Sequence, residues 1–156
     1  MNLVFKKAIP IDGCGKSKIN MGGFSAGIHV LVQKDSKYLV IRRSKADKQD
    51  PDCWDLPGGG IDFGEQPFDA AIREAKEEVG INIEIIKTLT FYAMPYLSTW
   101  SVESIVEGKY ISGDVMLSHE HSEFKWVNEK ELREIEPKNI HLKALLKQNK
   151  LDKIRL

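Results

Sequence analysis

The stretch Pro67–Val79 constrains this chain more than any other. Proline suits the first position of a helix and glycine the residue just past its end, and Pro67 and Gly80 stand in those places. On a wheel of about 100° per residue, Phe68, Ala71, Ile72, Ala75 and Val79 share one arc, which predicts the buried stripe. Glu74, Glu77 and Glu78 share an arc on the far side, and Ala70 falls among them, leaving room on that face. Arg73 is four residues from Glu77, where an ion pair can form.

Carboxylates so placed repel one another. On a solvated face the penalty is only about 0.2–0.5 kcal/mol per pair. At close range and an effective dielectric of 20 it rises to about 4 kcal/mol. Two readings follow. Either the glutamates point into water, or they surround hard divalent cations, for which an oxygen-only set favours Mg²⁺, Mn²⁺ or Ca²⁺. What precedes the helix favours the second. Pro57-Gly58-Gly59-Gly60 and Glu65 put a glycine loop beside the helix start, where backbone amides and the helix dipole attract anions. A cation cage and a phosphate-binding turn would then be neighbours.

Around this helix the pattern alternates between strand and turn. Phe24–Gln33 and Tyr38–Arg42 are β-rich and joined by Lys34–Lys37 as a hairpin. Ser44–Asp52 reads as loop, Cys53–Leu56 as a short extended piece, and the glycines at 58–60 as a break in regular structure. Ile81–Phe91, Thr99–Tyr110 and Phe124–Val127 are further strands, with Pro95 in a connection. Glu129–Ile135 and Asn139–Gln148 read as helices separated by Pro137. Strands on both sides of one early helix, with helices at the end, predict an α+β (α/β/α) sandwich around a mixed sheet. Residues 1–23 form an extension, a short strand over Leu3–Ile9 and a loop over Ile11–Gly23, ahead of a domain at 24–156.

The 23 basic and 23 acidic residues cancel. That leaves no global positive field to recruit nucleic acid or an anionic membrane. No apolar run approaches a membrane span, and the first ten residues lack the features of a secretory signal. Cys14 and Cys53 imply no disulfide framework, which points to a cytoplasmic protein with free thiols.

From Gly59 to Ile81 the chain reads GGIDFGEQPFDAAIREAKEEVGI. This resembles the Nudix box, Gly-x5-Glu-x7-Arg-Glu-U-x-Glu-Glu-x-Gly-U, with U a bulky aliphatic. Gly59, Glu65, Arg73, Glu74, Glu77, Glu78, Gly80 and Ile81 match it; Ala75, at the first U, departs from it on the buried stripe. The run Trp54–Gly59, the strand Leu39–Arg43 and the segment Glu120–Val127 are also similar to the family, extending the resemblance over about Phe24–Val127. The resemblance implies a Nudix-type sandwich with the box as loop–helix–loop. It implies a Mg²⁺-dependent hydrolase, with Mn²⁺ as a substitute, that cuts a phosphoanhydride bond in a nucleoside triphosphate or nucleoside diphosphate-X and releases a nucleoside monophosphate. An ADP-ribose or NDP-sugar pyrophosphatase and a catalytically silent ligand-binding domain are the alternatives. Carried over residue by residue, Glu74, Glu77 and Glu78 would bind the metal with a carbonyl at Gly58 or Gly59. Arg73 would orient a glutamate, and Glu65 would support the loop. Glu120 would be the distal acid, as ligand or base, with Glu123 as competitor, and Glu74 is the other candidate base. Arg43, Gly59 and Gly60 would contact substrate. The expected partner is a small nucleotide, with neither nucleic acid nor membrane, and Leu3–Ile9 leaves a homodimer open.

Several signals are set aside. Gly15-Lys16-Ser17 resembles the end of a P-loop but lacks its first glycine and a following helix. His119 and His121 flank Glu120 and read as a solvated loop, with His121 still open as a proton donor. Cys14 and Cys53 lack partners at metal spacing. Phe24, Trp54, Tyr92, Tyr96 and Trp100 read as core before base-stacking residues.

Overall fold

A computed structural model describes residues 23–96 and 99–147. The expected strand Leu3–Ile9, most of the loop 11–23, Cys14 and Gly15-Lys16-Ser17 lie outside the described residues.

The chain runs β1 (Phe24–Lys34), β2 (Lys37–Arg43), β3 (Trp54–Asp55), β4 (Gly58–Gly60), α1 (Pro67–Val79), β5 (Asn82–Tyr96), β6 (Thr99–Ser112), β7 (His121–Val127), α2 (Glu129–Glu134) and α3 (Ile140–Lys147). Seven strands form one mixed sheet in the order β3-β2-β1-β6-β5, with β4 paired to β1 and β7 to β2. β1 and β6 run parallel over 24–33 against 100–109, while the other pairs of named strands are antiparallel. The expected hairpin forms through Asp35 and Ser36, both at positive φ (48° and 62°), as a two-residue turn with the strands' own twist requires.

Alternation along the strands sorts side chains onto two faces. Ile28, Val30, Val32, Leu39, Ile41 and Val106 pack against α1 through Ala70, Ala71, Ala75 and Val79. Leu31, Val40, Trp54, Leu56, Leu89 and Ile105 pack on the other face against Leu132 of α2 and Leu142 and Leu145 of α3. Those are the helix–sheet–helix layers expected from the sequence. α2 opens with a capping box, in which Asn128 accepts from the Glu131 amide and Glu131 accepts from the Asn128 amide.

Three local expectations change. The buried face of α1 is rotated from the predicted stripe: Ala70 is fully buried, whereas Phe68 and Ile72 are 48% and 41% exposed. Small side chains at 70, 71 and 75 let the helix lie close to the sheet, so bulk at 68 and 72 is pushed to the rim, and Ala75 is part of that fit. Gly58–Gly60 is not a break but a strand, pairing with Gly27, Ile28 and His29. Pro95 lies inside β5 opposite Trp100, not in a connection; β5 is the last strand on its side of the sheet, where a missing N–H is tolerated.

Candidate active site

The rotation of α1 decides the state of its glutamates. With Ala70, Ala71, Ala75 and Val79 against the sheet, Glu74 and Glu78 sit on the inward half of the helix and face the Gly58–Gly60 strand. The Glu78 side chain is 10% exposed, Glu74 14% and Glu77 60%. The Gly58 amide donates to Glu78 Oε2 at 2.9 Å. Gly59 approaches Glu74 so closely that a Cβ there would lie 2.6 Å from Oε1, so a side chain at 59 would evict the carboxylate.

Glu120 arrives from the segment ahead of β7. That segment is tied to the end of α1, since the Met116 amide donates to Val79 O (3.0 Å) and the Ser118 amide to Glu78 O (2.8 Å). The Glu120 carbonyl accepts from the Ser44 amide. Glu74, Glu78 and Glu120 then line one cleft of about 360 Å³ together with Gly58, Gly59, Gly60 and Arg43. Glu123, the competing distal acid, lies elsewhere and pairs with Arg42 at 3.4 Å and Lys125 at 3.1 Å. Glu77 is outside the cleft lining, at 3.2 Å from Arg73.

Arg73 does more than pair with Glu77. Its guanidinium donates to both Glu65 oxygens (2.9 and 3.0 Å), to Glu74 Oε1 (2.8 Å) and to the Gly60 carbonyl (3.0 Å). One planar fork thus joins the helix to the loop that precedes it. The Arg73 hydrogen bonds, followed by one from the Asp62 amide, lower the Glu65 carboxyl to about 2. Arg43 is held by Asp47 at 2.7 Å and by buried Asp55 at 3.3 Å. Its side chain lines the cleft.

Burial disfavours the charged form of two of the cleft carboxylates. Burial raises the Glu78 carboxyl to about 8 despite the Gly58 N–H, and Asp55, Glu74 and Glu120 push it further the same way. Burial also raises Glu74, outweighing its Arg73 contacts. Glu74 and Glu78, buried at this penalty beside exposed Glu120, fit a hard divalent cation as counter-charge, and the all-oxygen set suits Mg²⁺ or Mn²⁺.

His121 is not on a solvated loop. It is buried, 3.8 Å from Glu78 Oε1, and burial lowers its pKa, with Arg43 acting in the same direction. His119 is exposed as expected. Trp54 is core at 2% exposure, whereas Phe24 and Trp100 are exposed, so core placement fails for those two. Sequence reasoning missed three further cleft residues, His29, Glu103 and His141. The available signals were a histidine interrupting an apolar strand at 28–32 and an acid at an inward position of β6.

The model for the NUDIX domain matches residues 23–148. This chain belongs to the NUDIX family. Among its NUDIX relatives, an RNA pyrophosphohydrolase of Ruthia magnifica subsp. Calyptogena magnifica is 39% identical over 71 residues, covering 46% of this chain and 37% of that protein. An ADP-ribose pyrophosphatase of Methanocaldococcus jannaschii is 31% identical over 93 residues, covering 54% of this chain and 53% of that protein. The matches thus span about half or less of these relatives' lengths. The MutT protein of Methanosarcina mazei Go1 shares the fold with a TM-score of 0.75 at 22% identity, covering 85% of this chain and 97% of that one. Among the described residues no helix is long and apolar enough to cross a membrane.

Proposed function

We propose that this NUDIX chain is a Mg²⁺-dependent hydrolase, with Mn²⁺ as a substitute, of a phosphoanhydride bond in a nucleoside triphosphate or nucleoside diphosphate-X, releasing a nucleoside monophosphate. One observation carries the reading. Glu74, Glu78 and Glu120 converge on a single cleft beside the Gly58–Gly60 strand, and burial among like charges lifts Glu78 to about 8. A purely structural cluster would relieve that penalty by turning outward.

Glu74, Glu78 and Glu120 would hold the ion, with Glu77 joining from the rim and a Gly58 or Gly59 carbonyl adding a ligand. A divalent ion there would neutralise phosphate oxygens and favour deprotonation of the attacking water. Arg73 holds Glu74 and the Gly60 carbonyl in fixed relation, which orients the cleft without touching substrate. Glu120, exposed at the cleft edge, is the carboxylate free to take the water's proton, with Glu74 as the alternative. Arg43 and the Gly59–Gly60 backbone line the same cleft and would meet the phosphate chain. Similarity to an RNA pyrophosphohydrolase and an ADP-ribose pyrophosphatase supports a substrate with a nucleotide phosphoanhydride. A free nucleotide in the cytoplasm is favoured over an RNA end because the chain carries no net positive charge.

The test is a panel of nucleoside triphosphates, dinucleoside polyphosphates and nucleotide sugars with Mg²⁺, products being separated by chromatography. Release of a nucleoside monophosphate that stops on chelation is expected. A well-folded protein that turns over none of them would leave the silent binding domain as the better account.

A further inference from the structure

On the other side of Gly58 from Glu78 lies a second cluster that the proposed reaction does not use. A Cβ at Gly58 would lie 2.7 Å from His29 Nδ1, while the Gly58 amide holds Glu78. We propose that His29, Glu103 and His141 form a second metal site, selective for a borderline transition ion such as Zn²⁺.

Each of the three residues offers one nitrogen or oxygen, and these donor atoms lie within 4.8 Å of one another. Two imidazoles and a carboxylate are a three-ligand set suited to Zn²⁺ with one position left open. The glutamate nest is all oxygen, so ligand softness separates the two sites.

The outward atoms of the cluster are already held. Ser101 Oγ donates to Glu103 Oε1 at 2.6 Å. The Tyr92 hydroxyl engages His141 Nδ1, leaving Nε2 for the cluster. Outer partners of this kind fix ligand orientation in metal sites. Glu103 Oε2 is different. It is buried, it lies 3.4 Å from His29 Nε2, and among the described residues it makes no hydrogen bond. Its residue is 5% exposed and that of His29 is 6% exposed. A buried carboxylate oxygen with only a long imidazole contact is costly unless a cation completes it.

Space and charge agree with this. A Cβ at Gly27, opposite Glu103 in the sheet, would lie 2.2 Å from Oε2, so the glycine keeps that oxygen's place open. Burial raises the Glu103 carboxyl, but His29 and Ser101 outweigh it and hold it ionised. Burial, with His29 next, lowers His141 to about 4, so its ring is neutral and ready to ligate at neutral pH. The His29 and His141 rings are stacked at 3.6 Å, 27° from parallel. Bonds of about 2.0–2.1 Å require the rings to part and the donors to close in, so binding opens the stack. An ion pair with a stacked neighbour, the simpler reading, leaves Oε2 with a single contact too long for a good hydrogen bond.

The experiment titrates Zn²⁺ into the chelator-treated 156-residue chain in excess Mg²⁺, by calorimetry, with ¹H–¹⁵N spectra of the histidine side chains. One Zn²⁺ per chain is expected, with His29 and His141 shifted and His119 unmoved. Glu103→Gln and His141→Ala should weaken binding by about 100-fold or more, and Tyr92→Phe by about 10-fold. Glu78→Gln should leave it unchanged. Absent binding would overturn the proposal, as would loss in Glu78→Gln, which would put the ion among the glutamates. Zinc that leaves the His29 and His141 signals in place would overturn it too. The wild-type spectra decide the matter even if a variant does not fold.

Discussion

The two sides of Gly58 are built from opposite kinds of information. On one side, Glu74 and Glu78 are four residues apart on a single helix, with Glu65 and Arg73 in the same short stretch. On the other, His29, Glu103 and His141 come from β1, β6 and the first turn of α3. Local spacing specifies the first cluster, and only the closed sheet specifies the second. The N-terminal end of α3 reaches the cleft because Trp54 donates to the Pro137 carbonyl (2.7 Å) and accepts from the Asn139 amide (3.0 Å). None of these contacts has a signature in sequence spacing.

The sharpest way to break this contrast is Glu78→Gln. If the helix side is the chemical one, turnover should fall by about 10³-fold or more, with an unchanged circular dichroism spectrum. Next comes Arg73→Lys. It keeps the charge but loses the fork that joins Glu65, Glu74 and Gly60, and misplacement of the loop should cost about 10²-fold in kcat. Glu77→Gln should cost less than either, because that side chain is outside the cleft lining; steady-state kinetics on the three variants would show the order. Ala75→Leu probes the close helix–sheet fit, and a loss of about 1–3 kcal/mol in urea unfolding is expected. Ile72→Ser, on the exposed rim, should stay within about 0.5 kcal/mol.

A separate effect is one of pH. The folded protein holds a proton on Glu78 up to about 8, above the carboxyl's ordinary value of 4.5. With divalent ions chelated, the native state therefore binds more protons than the unfolded chain between those values, and stability falls as pH rises through them. Thermal melts in chelator should show a lower Tm at the alkaline end of this range than at the acid end, and Glu78→Gln should flatten the slope.

Much of the fold was legible. The hairpin, the helix over 67–79 and the two terminal helices follow from period, turn residues and caps. The rotation of α1 was not, because hydrophobicity alone favours Phe68 and Ile72 for burial, whereas steric closeness to β1 and β4 selects alanines. The strand at Gly58–Gly60 was also hidden, since three glycines carry no strand signal and pair only because β1 offers a partner. At the site, the box acids were visible as a pattern. Glu120 over Glu123 became a geometric choice only once Ser118 and Glu120 were seen bonded to the end of α1 and to Ser44.

β1 pairs with β2, β4 and β6 at once. Sliding it by a single residue would swap its two faces, turning His29 into the α1 core and presenting Ile28 or Val30 to the cleft. The same slip would displace Gly58 from Glu78 and Gly27 from Glu103. The turn at Asp35-Ser36, far along the sheet, thus acts as an alignment peg for both clusters, and lengthening it would be felt in the cleft before it was felt in the melting curve.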